Sequence, residues 1–99
     1  MCGRYFLEKD ISDAALLRIL ETLEARGEDV KLRGDIFPGD RAPALAGGRM
    51  LAMRWGFAPP GGGRLIINAR GETAEEKPLF RGAGRCLLPA SGYYEWSGK

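Results

Sequence analysis

Gly3-Arg4-Tyr5-Phe6-Leu7, then Asp10-Ile11-Ser12-Asp13-Ala14-Ala15-Leu16-Leu17-Arg18-Ile19-Leu20-Glu21-Thr22-Leu23-Glu24-Ala25-Arg26-Gly27, opens the chain with one strand and one helix. The first run is short, aromatic and apolar, which suits a strand. In the second, Leu16, Ile19, Leu20 and Leu23 recur at three- and four-residue intervals and form one apolar stripe. Asp13, Arg18, Glu21 and Glu24 fall on other faces. Asp10 or Ser12 supplies an N-cap, and Gly27 stops the helix after about Arg26. This helix reads as packing structure and carries no chemistry.

Beyond it, residues 27–49 read as loop, with Gly34, Pro38, Gly39, Pro43, Gly47 and Gly48 as breakers. Arg49 to Trp55 reads as a strand with Leu51, Met53 and Trp55 on one face and Met50, Ala52 and Arg54 on the other. Pro59-Pro60-Gly61-Gly62-Gly63 is a loop tip, and Leu65-Ile66-Ile67-Asn68 a short apolar strand that presents Asn68 and Arg70 at its end. Glu72 to Phe80 reads as a turn plus a short helix, and Arg85–Leu88 and Tyr93–Trp96 as further strands. The expected fold is α+β, with one amphipathic N-terminal helix and short, mainly antiparallel strands.

Ninety-nine residues allow one small domain, which can bury roughly two-thirds of its unfolded surface. No long apolar run occupies the N-terminus, so no export signal or membrane span is expected. Cys2 and Cys86 make no disulfide framework and are expected as reduced thiols in the cytoplasm. Residues 1–29 carry a balance of −3 and residues 30–99 one of +5, and eleven of the fifteen cations are arginines. Forked guanidinium groups suit phosphate, so nucleic acid is a compatible partner, although scattered arginines are also ordinary solvated surface. The chain contains no histidine. A Ser-His-Asp or Cys-His mechanism therefore cannot operate within it, and two isolated cysteines do not make a zinc site. No metal or cofactor is expected. Acid–base work falls to a carboxylate, the terminal amine or a tyrosine.

Cys2 follows the initiator methionine directly. Once Met1 is removed, its α-amine and β-thiol form a 1,2-aminothiol, which condenses with an aldehyde through an imine to a thiazolidine. The amine titrates near ~8 and a free thiol near ~8.5, so both nucleophiles are partly available at neutral pH. The plainer reading makes Cys2 a small apolar residue entering the first strand. Glu95 sits among Tyr93, Tyr94 and Trp96. Aromatic desolvation there raises a carboxyl pKa and suits proton transfer, whereas alternation with a wet face makes it a solvated strand residue. Asn68 at a strand end reads first as a turn former.

Five blocks occur in order: Met1-Cys2-Gly3-Arg4-Tyr5, Trp55-Gly56-Phe57-Ala58-Pro59, Asn68-Ala69-Arg70-Gly71-Glu72-Thr73, Arg85-Cys86-Leu87-Leu88-Pro89-Ala90 and Gly92-Tyr93-Tyr94-Glu95-Trp96. In this order and spacing the chain resembles the SRAP family, the SOS response-associated peptidase-like proteins, from residue 2 to residue 96. The resemblance implies a β-rich SRAP-like domain that senses abasic sites in single-stranded DNA. It implies that Cys2, Asn68 and Glu95 are catalytic, and that Arg4, Trp55 and Arg70 contact DNA. In this picture the Cys2 amine forms a Schiff base at C1′ of the ring-opened sugar. Glu95 assists ring opening and proton transfer, Asn68 holds the cysteine and its substrate, and the thiol closes a thiazolidine crosslink. The family's peptidase-like label then reflects removal of Met1 rather than general proteolysis.

Two departures stand out. Family members commonly carry a motif near R-Y-N-x-x-P-G, where this chain has Arg33-Gly34-Asp35-Ile36-Phe37-Pro38-Gly39. Asp35 adds a negative charge near the phosphate path and is not counted as a DNA ligand. SRAP proteins are also longer, with a second half that supplies more strands and a histidine. Residues 1–99 are accordingly expected to be a partial domain, completed by a C-terminal half or a second polypeptide. The competing readings are an N-terminal-nucleophile cysteine peptidase, with the α-amine as base, and a non-catalytic single-stranded-DNA-binding fragment.

Overall fold

In the computed structural model, residues 2–8, 10–95 and 97 are described. Strand β1 (Tyr5–Leu7) leads into helix α1 (Ala14–Ala25), followed by β2 (Gly34–Ile36), β3 (Arg41–Ala46), β4 (Arg49–Arg54) and β5 (Gly92–Tyr93), with a 3-10 turn at Ala74–Glu76 between the last two strands. The fold class is the expected α+β arrangement: one helix and two small antiparallel sheets.

Alternation along β1 builds the core. Tyr5 and Leu7 are buried, while Phe6 between them, and Arg4 just before the strand, are only half-buried. Tyr5 and Leu7 pack with Leu20 of α1, Ile36 of β2 and Ala42 of β3, and Ile11, Leu16, Leu32 and Trp55 close the rim. β1 is the central strand of its sheet, pairing with β2 in the register Tyr5↔Ile36 and Phe6↔Asp35, and with β5 in the register Tyr5↔Tyr93 and Phe6↔Gly92. The helix stripe is as its periodicity predicts, with Leu20 and Leu23 fully buried. Its cap is different: Asp13, rather than Asp10 or Ser12, accepts from the Leu16 amide at 2.8 Å. A side-chain oxygen reaches an orphan amide two or three residues into the helix, and only Asp13 immediately precedes Ala14.

The segment read as loop holds two strands. β3 and β4 form a hairpin from Arg41↔Arg54 to Ala46↔Arg49. Gly47 and Gly48 turn it, with φ of 57° and 73°, the pair of positive values that a two-residue turn matching strand twist requires. Pro43 lies within β3, which a two-stranded sheet tolerates because proline lacks only a donor that an edge position can spare. Three sequence-predicted strands shrink. Leu65–Asn68 contributes one bridge, Phe57↔Ile66, and Arg85–Leu88 one bridge, Leu45↔Leu87. The Tyr93–Trp96 strand reduces to Gly92–Tyr93, and Trp96 lies outside the described residues. No helix among the described residues is long and apolar enough to cross a membrane.

Candidate active site

β1 sets the N-terminal residues in place. Cys2 is half-buried three residues before Tyr5, and its Sγ donates to the Arg4 carbonyl at 3.5 Å. Asn68, sixty-six positions away, donates from Nδ2 to the Cys2 carbonyl at 3.3 Å. The structure thus joins two of the three candidate catalytic residues. Asn68 reaches Cys2 because the Phe57↔Ile66 bridge turns the chain back toward the core beside Trp55. That turn is tight: a Cβ at Gly56 would lie 3.0 Å from the Cβ of Leu65.

Glu95 arrives from the opposite strand. The Tyr94 amide donates to the Arg4 carbonyl at 3.0 Å, continuing the β1–β5 register by one pair. Glu95 follows Tyr94 directly in the chain, two residues past the end of β5. The buried, aromatic setting expected for this carboxyl is not found. Glu95 is exposed, and so is Tyr93, at 69%. Tyr93 shares the inward face with Tyr5, but α1 lies against the β3–β4 hairpin rather than under β5, so this end of the sheet lacks a covering layer among the described residues.

Trp55 is a wall of both the core and a cleft. Its ring meets Tyr5 at 5.5 Å between centroids, and its backbone is fixed by the Asp40 carbonyl and the Gly39 amide. The adjoining cleft, about 320 Å³, runs past Trp55, Phe57, Ile66, Asn68 and Phe80 to Arg81 and Arg85. Phe57 and Phe80 meet edge to face at its floor, 5.0 Å between centroids. Arg70 is exposed and shares a neighbouring hollow with Asn68 and Lys77. Arg85 pairs with Glu75 at 3.5 Å, both almost fully exposed, a contact worth little in water.

Arg4 does not stand open. Its Nη1 lies 3.6 Å from Oδ2 of Asp35, and its guanidinium sits 4.0 Å above the Tyr94 ring and 5.6 Å from that of Phe37. Tyr94 donates its hydroxyl to Asp35 Oδ1 at 3.1 Å, and this bond to a carboxylate is the main reason its own pKa lies above the usual phenol value. Sequence reasoning noticed Asp35 but missed this cluster, because it read β2 as loop. The register Phe6↔Asp35 puts Asp35 on the same outward face as Arg4 and Tyr94. Tyr5 was missed as well. Burial pushes its hydroxyl pKa up to about 12, helped by the charge on Asp40 and, to a smaller degree, by the nearby Cys86 and Cys2 thiols. Its phenol therefore stays protonated beside the candidate nucleophile. Asp40 is held below the ordinary carboxylate range by the Phe37 amide, which donates to it at 2.8 Å, and by Lys31 at 3.1 Å. The described residues contain no cluster of three or more metal-ligating side chains.

A family profile described as SOS response associated peptidase (SRAP) matches residues 1–99. The chain is 44% identical to the abasic site processing protein YobE of Bacillus subtilis, over 97% of this chain and 49% of that protein. It is 32% identical to YoaM of the same organism, and 32% identical to YoqW of Bacillus phage SPbeta, both named abasic site processing proteins, over 97% of this chain and 47% and 48% of theirs. The chain spans about half the length of these curated relatives. No solved structure is significantly similar to it. The profile covers every residue from the Cys2 segment to the Glu95 segment, and the chain belongs to the SRAP family.

Proposed function

We propose that this chain processes abasic sites in DNA, trapping the ring-opened sugar of a single-stranded lesion on Cys2. The hydrogen bond between Asn68 and the Cys2 carbonyl carries this reading. It fixes the backbone of the residue whose amine and thiol must act together, and leaves the Asn68 amide oxygen to accept from a sugar hydroxyl. Family membership and the names of the relatives supply the substrate class.

Removal of Met1 frees the amine. The amine adds to the C1′ aldehyde, and the carbinolamine loses water to give an imine. The thiol then adds across the imine carbon while its proton passes to nitrogen, closing a thiazolidine with net loss of one water. Glu95, next in the chain after the Tyr94 that bonds to Arg4, is the proton carrier in this scheme, and an exposed carboxylate can exchange protons with solvent between steps. Arg70 and Lys77 beside Asn68 suit backbone phosphate, and Trp55 offers an aromatic wall for a neighbouring base, stacking being worth about 1–3 kcal/mol.

Intact mass spectrometry after incubation with abasic single-stranded DNA tests the reading. The natural protein is expected to gain the oligonucleotide mass less one water, starting from Cys2. Cys2→Ala should form no stable adduct, only an imine that borohydride traps. A stable adduct on a protein that retains Met1, or equal adduct from Cys2→Ala, overturns it.

A further inference from the structure

The outward face of the β2–β1–β5 sheet holds a closed set of charges beside the site. Arg4 lies two residues from Cys2, yet its guanidinium already faces a carboxylate, Asp35, and is laid over the Tyr94 ring. The carboxylate bridges two partners with separate oxygens: Oδ2 toward Arg4 at 3.6 Å and Oδ1 from the Tyr94 hydroxyl at 3.1 Å. The Tyr94 bond is short enough to orient the carboxylate. The Arg4 contact is longer than the 2.7–2.9 Å of a tight charge-assisted bond. Both side chains are about two-fifths exposed, 43% and 38%, so water and ions reach the pair. Such a contact gives way when a stronger anion approaches. Phosphate offers more oxygens to the same fork.

We infer that Asp35 is an internal counter-anion that competes with DNA phosphate for Arg4, and so limits how tightly this site holds single strands. The inference rests on the DNA-binding reading above. Tyr94 is the positioning residue: its ring supports the guanidinium from below and its hydroxyl keeps the carboxylate within reach. DNA entering the site must displace Asp35 from Arg4 and then bear its uncompensated charge.

The test measures binding of the natural protein to an unmodified oligothymidylate, which has no aldehyde and so reports reversible binding alone. Asp35→Asn keeps the size of the side chain and an acceptor for Tyr94 while removing the charge. One freed phosphate contact on a single strand steepens the dependence of log K on log salt by about 0.7, which is about fivefold tighter binding at 0.1 M salt. Asp35→Asn is expected to show both changes. In an Arg4→Gln background the same substitution should lose most of that gain, because no guanidinium remains to be released. Tyr94→Phe, which removes the bond that holds the carboxylate near Arg4, should show part of the Asp35→Asn gain in affinity and slope. Equal affinity and slope for wild type and Asp35→Asn would sink the inference while the DNA reading stands. Weaker binding by Asp35→Asn would sink it too, since Asp35 would then be holding Arg4 in its binding position. A gain that persists undiminished without Arg4 overturns it as general charge relief. Failure of every folded variant to bind overturns the DNA reading itself, and the inference with it.

Discussion

Tyr5 joins the core to the chemistry. Its ring packs against Trp55 and its hydroxyl feels both thiols, with burial pushing its pKa up to about 12. In the unfolded chain a tyrosine ionises near ~10. Below that value both states keep the proton and stability is unaffected. Between about 10 and 12 the unfolded chain releases a proton that the folded protein retains, so stability falls as pH rises, by about 2–3 kcal/mol over the full window. Urea unfolding of wild type and Tyr5→Phe across this range should show a shallower decline in the variant. Identical slopes would mean that the phenol is wet. Cys2 and Asn68 were both legible in the sequence as residue types carrying the right chemistry, but their contact across sixty-six positions was not. Local spacing says nothing about a bond made by tertiary folding.

Among the elements, α1 was the easiest to read, since twelve residues with a repeating apolar face leave little ambiguity. β2 and β3 were the hardest. Gly34 and Pro43 look like breakers, and strands of three and six residues supply too few alternations to outweigh them. The loss of β2 hid the Arg4–Asp35–Tyr94 cluster, an error of element that became an error of site. β5 has only two residues, and Tyr94 and Glu95 follow directly from its end. Gly92 permits it: an added Cβ would lie 2.7 Å from the Phe6 ring, which itself meets the Tyr94 ring at a tilt, 5.5 Å between centroids. Gly92→Ala should therefore cost about 1–3 kcal/mol, as overpacking does, and should displace Tyr94 and Glu95 as well. A fall in adduct rate larger than the loss of folded protein, read by comparing rate with the unfolding midpoint, distinguishes this from simple destabilisation. An unchanged rate would mean that β5 does not position Glu95.

At the scale of the whole molecule, large apolar side chains are divided between a small core and the surface. Among the described residues, seven hydrophobic side chains are buried around β1 and the hairpin, while Leu87 and Tyr93 are exposed at 71% and 69%, with Leu88 at 50%. A core this small leaves little surplus over conformational entropy. Residues 1–99 alone should unfold in urea with no more than about 5 kcal/mol of stability. A markedly higher value would show that the two sheets support each other without any further layer. The fold class was legible because it depends on which elements exist. The exposure of Glu95 was not, since burial depends on what lies above a strand, and alternation reports only which way a side chain points.

The three-residue step from Tyr5 to Cys2 also sets a reach. An extended chain advances at most about 3.5 Å per residue, so the terminal amine of Cys2 can move no farther than roughly 10 Å from a ring that the core holds still. The Asn68 bond shortens that leash further. A reagent on so short a tether cannot search along a nucleic acid. In the proposed reaction the lesion does the travelling, and a damaged sugar is captured only after its own backbone has bent far enough to deliver it.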